Sequence, residues 1–301
     1  MWKQLNWTCG DISIDFSDEH SAKVFIDFNE FNPHLISGLF DKRSAPKLDG
    51  VITYSASLSE RHIKFTAKVM GFNIGSASKP VETVLDEYTT ILCDAFNPRK
   101  TGKLTYTTNN GSYFVIARPL SLPIFGEIFG STLQFTVDLY SDTSFWLKSD
   151  ENSVNIGSSV PLLGTPLETP LEGGEIISIL ETITNQTRHD IYPIVRFWPS
   201  NSTPMLVNSA TGKVLALNTR MSDGFYVEID TSPEKGTVTL WRYNADLEEY
   251  EEIENVSYWL TVDSSTEFEI VPGENVLTAI NVVAGNYPAA TVIYHERALG
   301  V

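Results

Sequence analysis

Apolar and polar residues alternate along most of this chain. The runs Ile12–Phe16, Lys23–Phe28, His62–Val69, Lys103–Thr107, Tyr113–Ala117 and Thr132–Tyr140 are rich in Val, Ile, Phe, Tyr and Thr with a period near two. That pattern predicts strands with one face in a core and one in water. Asn109-Asn110-Gly111 between two of the runs predicts a tight hairpin turn, because Asn and Gly tolerate positive φ. The second half repeats the theme in Glu175–Ile179, Ile194–Trp198, Val214–Leu217, Phe225–Asp230, Thr237–Trp241, Glu267–Val271, Val276–Ile280 and Thr291–Tyr294. Turn signals at 210–213, 222–224, 232–236 and 272–275 separate them. Short strands at this spacing suggest a β-sandwich of jelly-roll or galectin type.

One segment breaks the alternation. From Pro80 to Phe96 the apolar positions are Val81, Val84, Leu85, Tyr88, Ile91, Leu92 and Phe96, spaced by three and four, which is one face of an amphipathic helix. Ser78 and Pro80 suit its first turn, Glu82, Asp86 and Glu87 suit its N-terminal half, and Asn97-Pro98 closes it. Between about Trp146 and Glu175 the pattern fades into Pro-, Gly-, Ser- and acid-rich sequence of linker composition. The expected architecture is therefore mainly β, with two β-sandwich-type domains. Residues 1–150 would carry the one amphipathic helix, and residues 151–301 would be galectin- or jelly-roll-like.

Composition narrows the class. In 301 residues, 42% are hydrophobic and 20% charged, as in a globular protein rather than a disordered one. Apolar runs are too short to span a membrane, and the first residues lack a signal-peptide apolar region. An intracellular or intracellularly assembled protein is expected, with Cys9 and Cys93 as reduced thiols and the sequons at Asn6, Asn185, Asn201 and Asn255 as chance. Charge is uneven: residues 1–150 hold 14 basic and 17 acidic side chains, a net of −3, and residues 151–301 hold 7 and 21, a net of −14. Such a chain repels phosphate, which argues against sequence-specific nucleic-acid binding and suits a surface that DNA slides past.

Motifs for chemistry are sparse. His20, His34, His62, His189 and His295 have no ligand spacing, and no Cys-x-x-Cys, nucleophile elbow or phosphate loop occurs. No catalytic, cofactor-binding or metal residues, and no cofactor, are assigned. Glu228 and Asp230 share a strand face, so a glycosidase pair is conceivable, but a solvated strand face is the preferred reading. The acidic run Asp246–Glu254 lacks a calcium-loop pattern and reads as a solvated turn or a sheet edge protected by charge. Trp198, Trp241 and Trp259 could form a sugar-stacking platform, although core positions are the commoner fate of Trp in a sandwich.

The order of features resembles the distal tail protein family of siphophages and related prophages. The resemblance is carried in the first half by Leu48-Asp49-Gly50, Arg61–Gly71, the helix at 80–96 followed by Asn97-Pro98 and Thr101–Tyr106, and strand 132–140 followed by Asp142 and Phe145-Trp146-Leu147. In the second half it is carried by Ile194–Phe197, Ala210-Thr211-Gly212, Val227–Thr231, Phe268–Val276 with its Pro272-Gly-Glu-Asn275 element, and Tyr294–Val301 ending Leu299-Gly-Val301. Only Asp49-Gly50 remains of a fuller family turn, and residues 201–209 and the acidic run are not family signatures. The resemblance implies that the first domain forms a homohexameric ring at the end of the tail tube, and that the second lies outside it, supporting receptor-binding or baseplate proteins. Implied partners are the tail tube protein, a tail-tip protein and host-surface glycans, with no membrane insertion. The implied place is the virion tail tip, assembled in the host cytoplasm, and the role is structural rather than enzymatic. The alternative reading is a carbohydrate-binding β-sandwich protein; a carboxylate-pair hydrolase comes third.

Overall fold

The computed structural model describes residues 3–43, 52–74, 80–157, 179–199, 203–280 and 289–301. Contacts divide the chain into unit 1, Met1–Ser149 with Ala298–Val301, and unit 2, Asp150–Arg297. Strands of the first stretch are β1 (Gln4–Cys9), β2 (Ile12–Ser17), β3 (Val24–Ile26), β4 (Gly38–Arg43), β5 (Ile52–Leu58) and β6 (Arg61–Met70). A short helix α1 (Gly71–Ile74) and the long helix α2 (Val81–Ala95) follow, then β7 (Gly102–Thr108), β8 (Gly111–Pro119), β9 (Ile124–Phe129), β10 (Thr132–Ser141) and β11 (Trp146–Lys148).

Unit 2 holds β12 (Asn152–Ile156), β13 (Ile179–Asn185), β14 (Ile194–Phe197), β15 (Met205–Asn208), β16 (Val214–Ala216), β17 (Phe225–Asp230), β18 (Val238–Asn244), β19 (Glu249–Asn255), β20 (Gly273–Ile280) and β21 (Ala290–Tyr294). The two-residue strand β22 (Arg297–Ala298) closes the series. The fold is mainly β, as the alternation predicts.

In unit 1 one sheet runs β11-β8-β7-β1-β2-β3-β6-β10-β9, with β22 beyond β11. An extra antiparallel pairing, Leu139 with Pro119 and Tyr140 with Arg118, joins β10 to β8 and closes the sheet on itself. Alternation puts Ile63, Phe65, Ala67 and Val69 of β6 and Leu133, Phe135, Val137 and Leu139 of β10 inside, all buried. Helix α2 covers this core with Leu85, Leu92 and Ala95, and Tyr88 and Val81 pack at its margin. Ile91, expected on the same stripe, is 41% exposed; it falls on the flank of the helical surface that the sheet does not reach. Pro80 stands just before the helix rather than inside its first turn, and makes no side-chain cap.

The helix is pinned at its far end. The Trp7 indole donates to the Ala95 carbonyl at 2.9 Å and its ring stacks on Phe96 with centroids 5.3 Å apart. Gly102 is required there: a Cβ at that position would meet the Trp7 ring at 2.4 Å and the Thr8 carbonyl at 2.8 Å. The Asn109-Asn110 hairpin forms as expected, with Thr108 paired to Gly111, and Gly111 alone takes a positive φ of 133°.

Unit 2 is built from a six-stranded sheet, β12-β21-β14-β17-β18-β19, and a four-stranded sheet, β13-β20-β15-β16. Their inward residues, among them Val195, Phe197, Val227, Ile229, Leu206 and Leu277, make one core. Two expectations change. The stretch after Trp146 is not loop throughout, since β11 pairs with β8 and β12 pairs with β21 along five residues; polar Ser and Asn there sit on solvent-facing or edge positions. Glu267–Val271 is not a strand and contributes only an isolated bridge from Ile270 to Ile191. Leu48-Asp49-Gly50, Ser78, residues 164–174 and Glu175–Ser178 lie outside the described residues.

Candidate assembly surfaces and the residues that brace them

Arg61 begins the alternating run of β6 on the same face as Ile63 and Phe65, a core position, and it is fully buried. Its Nη1 donates to the Pro33 carbonyl at 2.6 Å, and its Nη2 donates to the carbonyls of Ser144 at 2.6 Å and Leu299 at 2.8 Å. The guanidinium faces the Trp146 ring at 5.7 Å, and the Trp146 indole shares the Pro33 carbonyl at 2.9 Å. Burial pulls the Arg61 pKa down to about 10, since a charge out of water is disfavoured. Its partners are three main-chain oxygens, so the residue works as a spoke. It ties residues 33, 144 and 299 to the strand that carries the core, and Val301 N–H adds a bond to His34 Nδ1 at 3.3 Å.

Two apolar surfaces of unit 1 lack the cover that this core has. The β4–β5 hairpin is a two-stranded sheet of its own, and it exposes Leu39, Phe40, Tyr54 and Leu58, with Tyr54 62% exposed. Strand β9 forms an edge of the large sheet and exposes Ile124, Ile128 and Phe129, the last 89% exposed. Next to it a shallow cavity of about 470 Å³ is lined by His20, Phe25, Met70, Phe129 and Thr132. Bare apolar edges of this kind invite pairing with another chain.

The Pro272-Gly273-Glu274-Asn275 element has a structural explanation. Gly273 takes a φ of 97° at the start of β20, a left-handed conformation open to glycine. Asn275, fully buried, accepts from Val271 N–H at 3.0 Å and donates to the Val271 and Gly273 carbonyls at 2.7 and 3.1 Å. Asn208 donates to Asn275 Oδ1 at 3.0 Å and to the Glu269 carbonyl at 2.8 Å. Thr231 Oγ1 reaches the Phe268 carbonyl at 2.9 Å, and Asn185 reaches that of Ile270 at 3.0 Å. These side chains take the place of a neighbouring strand, which is why Glu267–Val271 remains irregular while Phe268 and Ile270 fill the core.

The carboxylates weighed for catalysis are occupied. Glu228 pairs with Arg196 Nε at 2.8 Å. Asp230 Oδ1 accepts from the N–H and hydroxyl of Ser232 at 3.0 and 2.6 Å, bracing the turn, and Lys235 lies 3.3 Å from its other oxygen. The acidic run becomes edge strand β19, with Glu252 opposite Trp241 and Glu251 opposite Arg242, a charged edge that resists stray pairing. Trp259 packs on the core of unit 2, whereas Trp198 and Trp241 lie on the opposite face of the six-stranded sheet with Tyr226 and Tyr250. The Tyr226 phenol is raised above its usual range, first by burial, with Arg196 opposing and Glu228 and Tyr250 adding to the rise.

The histidines are dispersed. His20 stacks on Phe25, His62 sits 3.7 Å from Glu60, and His295 contacts the Asp150 carbonyl. Cys9 and Cys93 are free thiols; burial, then Asp94, pushes the Cys93 thiol up. Among the described residues no cluster of three His, Cys, Asp or Glu could hold a metal ion, and no helix is long and apolar enough to cross a membrane. Arg61 of unit 1 and Asn208 and Asn275 of unit 2, which brace irregular main chain, were not singled out as sites from sequence. Arg61 carried a readable signal: a cation in register with a strand's core positions.

No family model matches the chain, and no curated protein matches it. Solved structures do. The Dit (gp 19.1) protein of phage SPP1, described as a paradigm of the hub adsorption apparatus in phages infecting Gram-positive hosts, aligns over 98% of this chain and 99% of its own, at 13% identity and a TM-score of 0.55. A chain of the phage P2 baseplate in its activated conformation with Ca aligns over 100% of both, at 11% identity and a TM-score of 0.56. The corresponding baseplate with Sr gives 99% of both, 11% and 0.55. Both units thus follow one template from end to end, and the chain has the fold of phage tail hub and baseplate proteins.

Proposed function

We propose that this chain is a structural hub protein of a phage tail tip, forming a homohexameric ring at the distal end of the tail tube. The observation that carries the reading is the end-to-end match to hub proteins, covering 98–100% of this chain. Unit 1 (residues 1–150 in the expected domain plan) is the ring-forming part. Its β4–β5 hairpin and its β9 edge are two different apolar surfaces, and a contact between unlike patches of identical subunits is heterologous and closes into a ring when the rotation allows. The hairpin of one copy would lie on the β9 side of the next.

Unit 2, the galectin-like outer part, supports receptor-binding or peripheral baseplate proteins, while the tube and tail-tip proteins stack on the ring's two faces. The role is structural, with no catalysis, and the place is the virion, after assembly in the host cytoplasm. Light scattering on the purified chain tests this: the mass should be about six times 33.5 kDa. Phe40→Asp with Tyr54→Asp should return it to one chain while circular dichroism stays unchanged. A double variant that still forms the same assembly would remove the hairpin from the contact.

A further inference from the structure

We propose that residues 298–301 lock the root of the β4–β5 hairpin and so set the pose in which unit 1 offers it to a second copy. This rests on the reading of the hairpin as a self-assembly contact. The hairpin is not part of the large sheet of unit 1, and a two-stranded ribbon has little rigidity of its own. Its exposed Leu39, Phe40, Tyr54 and Leu58 are therefore aimed by the main chain on either side of the closing pair Gly38 and Leu58. Those flanks are residues 33–37 and residues 59–61.

Both flanks are held. Ser59 N–H donates to the Ser37 carbonyl at 2.9 Å and Ser37 N–H donates to Ser59 Oγ at 3.3 Å, which ties the flanks to each other. The Ser144 hydroxyl donates to the Ser59 carbonyl at 2.6 Å. The Ser144 carbonyl in turn accepts from Arg61 Nη2, and the same nitrogen holds the Leu299 carbonyl. On the other flank, His34 donates its N–H to Asn32 Oδ1 at 3.0 Å and accepts from Val301 N–H through Nδ1. The Val301 side chain packs on the core of unit 1. Gly300 lies so close to His34 that a Cβ there would meet Nδ1 at 2.7 Å. Residues 299–301 thus reach one flank through Arg61 and Ser144 and the other through His34. They follow unit 2 in the chain, so the hairpin is locked only after the chain has passed through unit 2 and returned to unit 1. A hairpin held in one pose loses less conformational freedom on meeting its partner, which is how preorganised contacts gain affinity.

Gly300→Ala drives a methyl group into His34 and should lift the segment, while Ser144→Ala removes one link without crowding. Hydrogen exchange on the full chain carrying Phe40→Asp and Tyr54→Asp, so that no second copy covers the hairpin, reads the lock directly. Exchange at residues 37 and 59 should quicken about ten-fold or more with Gly300→Ala, and about three-fold or more with Ser144→Ala, while residues 63–69 and 133–139 keep their protection. In the chain with Phe40 and Tyr54 restored, light scattering should place the assembly midpoint of each variant about ten-fold or more higher in concentration. Exchange at 37 and 59 equal to that of the parent in both variants, or protection lost equally along β6 and β10, overturns the lock. A loosened root with an unmoved assembly midpoint overturns its role in setting the pose. A parent chain that stays single at every concentration refutes the self-assembly reading instead, and the exchange result then judges the lock by itself.

Discussion

Replacing Arg61 with Met tests how unit 1 is braced. The side chain is fully buried and donates to three carbonyls. Met fills most of the volume but donates nothing. Pro33 keeps the Trp146 indole as a donor, so two carbonyls, those of Ser144 and Leu299, lose their side-chain donor. A buried acceptor without a partner costs about 1–3 kcal/mol; Ser144 and Leu299 are half-buried and water recovers part of that, so the loss is on the order of 2–4 kcal/mol. Relief from burying a guanidinium without a carboxylate partner offsets part of it, which leaves a net cost of roughly 1–3 kcal/mol.

For a unit of this size each kcal/mol moves the melting temperature by about 2–4 °C, so a drop of about 2–12 °C is expected by scanning calorimetry. Arg61→Lys should recover little, because one ammonium cannot reach three carbonyls held by a planar fork. Hydrogen exchange supplies a second readout: protection at residues 298–301 should fall in both variants. An Arg61→Met melt within about 1 °C of the parent, with the closing residues still protected, would refute the account of Arg61 as the spoke of unit 1.

Three further outcomes follow from the geometry. Gly102→Ala places a methyl group against the Trp7 ring and the Thr8 carbonyl and should cost about 1–3 kcal/mol as overpacking, read by denaturant titration together with a change in tryptophan fluorescence. Asn275→Ala removes a fully buried amide that serves Val271, Gly273 and Asn208 and should destabilise unit 2 by about 2–4 kcal/mol; Thr278→Ala on the same strand serves as the mild control. The phenols of Tyr88, Tyr192, Tyr226 and Tyr294 are raised above the ordinary phenol value of 10.0, chiefly by burial. The unfolded chain then ionises first, so the stability these residues contribute is complete below pH 10 and lost as pH rises past it. Melts should fall steeply above pH 10, and Tyr88→Phe should flatten the fall.

Much of the fold was legible because its signals are local. The three-and-four spacing of Val84, Leu85, Leu92 and Phe96 gave the helix, and strict alternation in Thr132–Tyr140 gave a long buried strand. Strands without a regular half-buried face gave no such signal: β9 turns only Phe125 onto the core, and the described side chains of β4 and β5 are exposed on both sides, so their apolar residues obey no period. Glu267–Val271 misled in the opposite direction. Its alternation is real, and Phe268 and Ile270 are buried, but Asn208, Asn275, Thr231 and Asn185 bind the backbone that a neighbouring strand would have bound. All but Asn275 come from distant positions, as does the closure of β10 on β8, and local periodicity carries no trace of either. The aromatic cluster on the six-stranded sheet was half legible: Trp198 and Trp241 were named from sequence with Trp259, but only the register shows that two face away from the core and one packs on it.

The central claim is that copies of this chain close into a ring. Negative-stain electron microscopy of the purified full chain tests it most directly. The account predicts six-fold rings with an open centre, lost when Phe40 and Tyr54 of the β4–β5 hairpin are both changed to Asp. Single 33.5 kDa particles at every concentration tried, or open filaments in place of rings, would contradict it.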